Sequence, residues 1–213
     1  MQRFLLLFCL LVSYSFANAQ ISDIPDYRPK KDNYKKILDK GLRSELAAFT
    51  LSSLDEALNK ESLPKLPLTE NKPGLVQFSN GKISVTITAG TFDKTKHKLM
   101  LYDDKYTLKL DNKPFFSAKL GDMPKKTIES VLVTIGRDTV QIPATAINDL
   151  YDPVFCTGNV SSDAKCNCAV YLSNDGSKIY IYMLNSIDNK NGYEVTWIIQ
   201  DKLFSRRVVD FGF

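Results

Sequence analysis

The sequence predicts a mainly β protein (α+β), in which an antiparallel β-sandwich or partly open barrel follows an N-terminal helical segment. Three observations support this fold class. Apolar residues recur at helical spacing only near the N-terminus, between residues 34 and 49. From residue 75 onward, apolar and polar residues alternate as they do in half-buried strands. Turn-forming residues separate about ten such runs, which is typical of sandwiches and barrels.

The first nineteen residues have the features of a secretory signal peptide. Arg3 precedes an uncharged apolar run over residues 4–12, and residues 17–19 (Ala-Asn-Ala) supply the small side chains that a signal peptidase recognises. The apolar run is much shorter than the roughly 20 residues that cross a bilayer. We therefore predict cleavage before Gln20, no transmembrane segment in the mature chain, and a secreted or periplasmic location.

Removal of residues 1–19 leaves 194 residues (213 minus 19), which is enough for one sizeable domain or two small ones. Proline-rich sequence between residues 61 and 74 separates a helical pattern from a strand pattern. We therefore predict a helical segment with a Pro-rich linker over residues 20–74 and a β-rich domain over residues 75–213.

The net charge is small and its excess is local. The formal charge of +4 falls to +3 when Arg3 leaves with the signal peptide. Between Asp26 and Arg43, seven basic residues accompany three acids, and the rest of the chain is close to neutral. A basic arm of this kind can contact an anionic surface, but a solvated helix face is the commoner reason for such a run. We predict no nucleic-acid partner.

The helical segment is predicted as one amphipathic helix that follows Asp32, a suitable N-cap residue. Its apolar positions are Tyr34, Ile37, Leu38, Leu42, Leu46 and Phe49. A second short helix is predicted from Ser53, because Ser53 and Glu56 have the spacing of a capping box. The prolines between residues 61 and 74 exclude a helix or a central strand, so this stretch is predicted as a linker or an extended strap.

The β-rich part is predicted as a series of hairpins. Asp103-Asp104 lies between two alternating runs, at 99–101 and 106–110, as a tight turn does. The last fifty residues are predicted as a four-stranded meander. Its turns are predicted at residues 174–177, 188–192 and 201–202.

Three cysteines remain after Cys9 leaves with the signal peptide: Cys156, Cys166 and Cys168. In an oxidising compartment two of them are expected to pair. A bridge between the last two would be strained, because they are only two residues apart. The sequence therefore favours Cys156 paired with either Cys166 or Cys168, and leaves the third thiol free or paired with another chain. On the chain-entropy model such a bridge contributes about 2–3 kcal/mol.

No catalytic constellation is recognisable, and we predict no catalytic residue, metal or cofactor. A Ser–His or Cys–His nucleophile would have to use His97, since it is the one histidine. Its neighbours Lys96 and Lys98 disfavour the imidazolium that a base must become. A zinc site of His97 with the three mature cysteines has the right ligand types, but secretion favours a disulfide instead.

Aromatic side chains concentrate in the C-terminal meander, and they are the candidate binding residues. The candidates are Tyr171, Tyr180, Tyr182 and Trp197. Tyr180 and Tyr182 alternate with Ile179 and Ile181, so both faces of that strand are apolar or aromatic. One interpretation is a strand buried on both sides. The other is an exposed aromatic platform that stacks on a sugar or on a partner protein.

These patterns predict a non-enzymatic binding or interaction protein whose ligand is a protein or a carbohydrate. The alternative is a secreted hydrolase that uses paired carboxylates on strands. Its candidate acids are Glu129, Glu194, Asp103 and Asp104. The two functions differ in geometry, because a hydrolase needs two carboxyl groups that converge in one cleft within about 10 Å.

Overall fold

The architecture is taken from a computed structural model of the chain. It describes residues 24–30, 32–56, 62–158, 160, 164–186 and 192–212. The predicted signal peptide and residues 188–191 of the predicted turn at 188–192 lie outside these residues.

The described chain contains one α-helix, four short 3₁₀ helices and thirteen strands. The α-helix, α1, spans Lys40–Leu46, and the 3₁₀ helices span Tyr34–Lys36, Leu51–Glu56, Lys94–Lys96 and Ala144–Ala146. The strands are β1 Leu68–Lys72, β2 Leu75–Ser79, β3 Ile83–Thr91, β4 Leu99–Tyr102, β5 Tyr106–Leu110, β6 Lys126–Ile135, β7 Asp138–Gln141, β8 Cys156–Thr157, β9 Lys165–Cys166, β10 Cys168–Leu172, β11 Lys178–Asn185, β12 Tyr193–Gln200 and β13 Leu203–Phe211.

The strands form two main sheets and two small hairpins, and every pairing between them is antiparallel. The five-stranded sheet has the order β1-β2-β3-β6-β7, and the four-stranded sheet is the meander β10-β11-β12-β13. Strands β4-β5 and β8-β9 form the hairpins. The predicted mainly β, antiparallel fold class is confirmed, and none of these sheets closes into a barrel.

The two main sheets share one apolar core. Val76, Phe78 and Val85 from the five-stranded sheet belong to the same buried cluster as Ile181 and Trp197 from the four-stranded sheet. The alternation of the sequence produces this core, since every second residue of each strand points inward. The sheets therefore pack face to face as a sandwich.

The opposite face of the four-stranded sheet is also covered. Tyr180 and Ile198 pack in a second buried cluster with Tyr34, Leu42 and Leu46 of the N-terminal segment. This sheet is therefore buried on both sides. The covering segment explains why strand β11 carries large apolar or aromatic side chains at every position from 179 to 183.

The N-terminal segment is not the single helix that the periodicity predicts. A 3₁₀ turn ends at Lys36, and α1 begins only after Asp39, whose side chain accepts a hydrogen bond from Leu42 N at 3.0 Å. Asp39 rather than Asp32 is therefore the N-cap. The break turns Leu38 into solvent, with 93 % of its surface exposed, although the pattern placed it on the apolar face.

The capping-box prediction is also wrong at its start. Ser53 lies inside the 3₁₀ helix Leu51–Glu56, where its hydroxyl donates to Thr50 O at 2.8 Å. A Ser in this position satisfies a local carbonyl and cannot begin a helix. The rest of the predicted second helix, from residue 57, lies outside the described residues.

The Pro-rich stretch contains an extended strap, as the sequence allows. Leu66 N donates to Val170 O at 2.8 Å, and Leu172 N donates to Pro64 O at 2.9 Å. The strap thus pairs with β10 and covers one edge of the four-stranded sheet, which protects that edge from pairing with other chains. It then continues into β1, the edge strand of the five-stranded sheet.

A buried carboxylate fastens the N-terminal segment to the sheet. Glu194 is 2 % exposed and accepts hydrogen bonds from Leu51 N and Ser52 N, both at 2.8 Å, and from the Tyr182 hydroxyl at 2.9 Å. On the neighbouring strand, the Asp210 carboxylate accepts from Tyr34 N at 2.8 Å. Burial raises the pKa of Asp210 above its ordinary value.

We expect Glu194→Ala to lower the free energy of unfolding by about 3 kcal/mol, because it leaves one buried and two part-buried donors without an acceptor. Glu194→Gln keeps an acceptor oxygen and is expected to cost less, about 1–2 kcal/mol. Urea denaturation measures both values. The control is Glu129→Ala at an exposed position, which should change stability by no more than about 0.5 kcal/mol. Equal stabilities of Glu194→Ala and Glu129→Ala would contradict the fastening role.

Candidate functional site

The candidate aromatic residues do not form an exposed platform. Trp197 and Tyr180 are fully buried and Tyr182 is 8 % exposed, while half-buried Tyr171 stacks on Phe49 of the N-terminal segment at a centroid distance of 4.4 Å. Trp197 Nε1 donates to Ala146 O at 2.9 Å, so its polar atom is satisfied inside the core. This burial supports the core interpretation, one of the two that the sequence leaves open.

The four candidate acids lie in three different places. Glu194 faces the N-terminal segment, and Glu129 is exposed on β6 of the other sheet. Asp103 and Asp104 form the predicted turn between β4 and β5, with φ values of 54° and 48°. The sandwich core separates the two glutamates, so they do not converge on one cleft as glycoside hydrolysis requires.

The disulfide joins Cys156 and Cys166, the first of the two pairings that the sequence favours. Cys168 is a buried free thiol whose Sγ lies 4.0 Å from Cys156 Sγ. Burial raises the pKa of the Cys168 thiol to about 12. The cysteine–histidine zinc set does not form, because two of its thiols are oxidised. Among the described residues no group of three or more His, Cys, Asp or Glu side chains could hold a metal.

A cleft of about 630 Å³ opens at one end of the sandwich, next to the disulfide. We call it the lysine cleft. Three segments line it: the β1–β2 turn at 71–74, the loop at 119–126 and the loop at 152–158. Gly74 allows the tight turn, since its φ is +77° and an added Cβ would lie 2.9 Å from Ala89 O.

Hydrogen bonds hold the three walls of the lysine cleft together. Asp152 Oδ1 accepts from Lys125 N at 2.7 Å and from Lys126 N at 2.9 Å, which joins two of the walls. Asn71 Nδ2 donates to Gly158 O at 2.7 Å, which fastens the disulfide-bonded loop to β1. The walls are therefore set before any ligand binds.

The lysine cleft combines cations with apolar surface. Lys72, Lys119, Lys125 and Lys126 line it, against the two acids Asp122 and Asp152. Lys72 pairs with Glu70, and Lys119 pairs with Asp122 at 3.4 Å. No ion-pair partner for Lys125 or Lys126 lies among the described residues. The apolar lining consists of Pro73, Met123, Pro153, Val154 and Phe155.

A second cleft, of about 700 Å³, contains the histidine. His97 Nδ1 lies 2.8 Å from Asp111 Oδ2, and the ring stacks on Phe92 at 4.8 Å. The Lys98 N–H donates to Asp111 Oδ1, and this bond is the largest cause of the lowered pKa of Asp111, followed by the His97 contact. The lining includes no Ser or Cys, and its side-chain hydroxyl groups belong to Thr127, Thr145 and Tyr151.

The charged side chains of the second cleft are partly paired. Arg207 Nη2 donates to Asp149 Oδ2 at 2.7 Å, and His97 is held by Asp111. The Arg207 guanidinium is therefore already matched by a carboxylate, whereas Lys113 in the same lining has no ion pair among the described residues.

Sequence reasoning missed both clefts because each is built from loops far apart in the chain. The repeated lysines at 119, 125 and 126, within a loop that contains Gly121 and Pro124, were the available signal for the first cleft. A lysine-rich loop has no fixed motif, so this signal became meaningful only when Phe155 and the disulfide loop were seen opposite it.

Comparison with protein-family models, with curated proteins and with solved structures finds no match. In the part of the chain that the structure describes, no helix is long and apolar enough to cross a membrane.

We expect Cys168 to resist thiol reagents in the folded mature protein at neutral pH, since burial keeps it protonated and inaccessible. Titration with Ellman's reagent should detect no thiol in the native chain from Gln20, and one thiol per chain in denaturant. Rapid labelling of the native protein would contradict the buried position. The variant Cys168→Ser should give no thiol under either condition, which identifies the reacting residue.

Proposed function

We propose that this chain is an exported, non-enzymatic binding protein whose ligand carries an anionic group on an apolar body. The proposal rests on one observation: Lys125 and Lys126 line a preformed cleft, with apolar walls beside them and no ion-pair partner among the described residues. At about 630 Å³ the cleft lies within the range of roughly 300–1,000 Å³ that is usual for small-molecule sites.

The cleft chemistry supports an amphipathic anion rather than a neutral sugar. The lysine ammonium groups that line the cleft attract a carboxylate, sulfate or phosphate, and the apolar lining at Met123 and Phe155 accepts a hydrocarbon or aromatic portion. A peptide whose side chains or terminus carry an anionic group beside an apolar portion belongs to the same class of ligand. Carbohydrate recognition is less well supported, because the candidate stacking aromatics Tyr180 and Trp197 are buried.

The disulfide supports the exported part of the proposal. Disulfide bonds such as Cys156–Cys166 persist in oxidising compartments and are rare in a reducing cytosol. The apolar run over residues 4–12 supplies the matching signal in the sequence.

Binding is better supported than hydrolysis because the acids proposed for hydrolysis lie apart. Glu194 is used by backbone donors of the N-terminal segment, and Asp103 and Asp104 occupy a turn at the end of a hairpin. Intramolecular hydrogen bonds fix the walls of the lysine cleft, which reduces the conformational entropy lost when a ligand binds.

We expect the mature chain to bind anilinonaphthalene sulfonate, an anionic apolar dye, with a saturable rise in fluorescence. The double variant Lys125→Ser/Lys126→Ser should weaken this binding about ten-fold, because the sulfonate loses two cations. Binding of N-phenylnaphthylamine, which lacks the sulfonate, should change little in the same variant. Isothermal or fluorescence titration measures both dissociation constants.

Matched variants separate this site from other apolar surface. Lys40→Ser/Lys82→Ser removes two exposed lysines outside the cleft and should leave both dyes unaffected. Met123→Ser should weaken both dyes, since it removes part of the apolar lining. If the sulfonate dye binds the Lys125→Ser/Lys126→Ser protein as tightly as the unmodified one, the proposed ligand chemistry is wrong.

A further inference from the structure

We propose that this protein forms a weak, two-fold symmetric dimer in which strand β4 pairs antiparallel with β4 of a second copy. The proposal does not depend on the ligand of the lysine cleft. It rests on an open strand edge, on the apolar side chains along it, and on a charge pattern that complements itself.

Strand β4 has a partner on one side only. It pairs with β5 in a two-stranded hairpin outside both main sheets, and no other described strand or bridge pairs with residues 99–102. The register shift in the hairpin places the extra residue, Leu108, on β5. The outer edge of β4 is therefore regular and able to accept another strand.

The side chains of β4 are unusually apolar for an open edge. Met100, Leu101 and Tyr102 are 43 %, 41 % and 39 % exposed. Three consecutive residues cover both faces of a strand, so each face of the edge is apolar. Soluble proteins normally protect such edges with inward charges, prolines or a covering segment, and the strap over β10 does so elsewhere in this fold. The unprotected edge of β4 is consistent with a partner strand.

The charges at the two ends of β4 favour a second copy as that partner. Lys98 precedes the strand and Asp103-Asp104 follow it, and all three side chains are exposed. None of them has an ion pair among the described residues. In an antiparallel pair, the start of each strand meets the end of the other. Each Lys98 would therefore lie beside the acidic turn of the other copy.

Symmetry selects one register for this pairing. A two-fold axis perpendicular to an antiparallel ladder requires one residue to face its own copy, because side chains alternate between the faces. An axis at Leu101 pairs Leu101 with itself and Met100 with Tyr102, and it places Lys98 beside the turn that contains Asp103 and Asp104. An axis at Met100 would instead pair Lys98 with Tyr102, which leaves the charges unmatched.

The interface is small, so the dimer is weak. A strand of four residues buries far less than the roughly 1,200–2,000 Å² of stable protein interfaces. We expect a dissociation constant in the micromolar range or weaker. Because both copies use the same edge, the pairing closes on itself and does not extend into a fibre.

Cysteine cross-linking tests the register directly. Leu101→Cys in the oxidised mature chain should form an intermolecular disulfide, since opposing Cβ atoms in a ladder lie about 4.5–5.5 Å apart. Met100→Cys should not, because Met100 faces Tyr102 of the other copy. Leu203→Cys, exposed on β13, is the control for random collision. A cross-link at Met100→Cys with none at Leu101→Cys overturns the proposed charge pairing.

Charge reversal tests the complementarity. Sedimentation equilibrium should show that Lys98→Asp weakens self-association about ten-fold, and that Asp104→Lys does the same. The double variant Lys98→Asp/Asp104→Lys should restore it, which a general loss of stability cannot do. A chain that stays monomeric up to millimolar concentration, with no cross-link at Leu101→Cys, overturns the proposal and leaves this edge to a strand of a different protein.

Discussion

The fold depends on a four-stranded sheet that has no face left for water. Trp197 and Ile181 point into the sandwich, and Tyr180 and Ile198 point into the cluster beneath the N-terminal segment. Each such side chain contributes roughly 1.5–3 kcal/mol when it is fully buried. Both covers are needed for that gain, so the N-terminal segment is a layer of the folded core.

The irregular segment that covers the sheet has backbone N–H groups without acceptors of their own, and carboxylates on the sheet accept their hydrogen bonds. Short 3₁₀ turns leave backbone N–H groups without intrahelical acceptors, and burial makes such groups costly. Glu194 accepts from Leu51 N and Ser52 N, and Asp210 accepts from Tyr34 N. The acids on β12 and β13 thus face inward for a structural reason. An acidic residue in a strand is therefore weak evidence for hydrolysis until its partners are known.

Local patterns in the sequence predicted the strands and turns well, because alternation and turn residues are local. The turn at Asp103-Asp104 and the C-terminal meander follow from neighbouring residues alone. The covering of Tyr180 was not predictable in this way, since its partners lie more than a hundred residues earlier in the chain. The break before α1 had a local signal, as Asp39 stands three residues before Leu42 at N-cap spacing. The apolar periodicity of residues 34–49 continues across this break and therefore does not indicate it.

Because both faces of the four-stranded sheet are buried, the ends of the sandwich are the better place for a binding site. Both faces of the four-stranded sheet are occupied, and the outer face of the five-stranded sheet carries hydroxyl groups that bond to one another, as Thr88 Oγ1 and Ser130 Oγ do at 2.7 Å. At the sandwich end, loops diverge, and the backbone N–H groups of Lys125 and of Lys126, the first residue of β6, donate to Asp152 Oδ1. That contact uses backbone N–H groups, so the side-chain ammonium groups of the two lysines stay available. An anionic ligand can therefore bind there without disturbing the core.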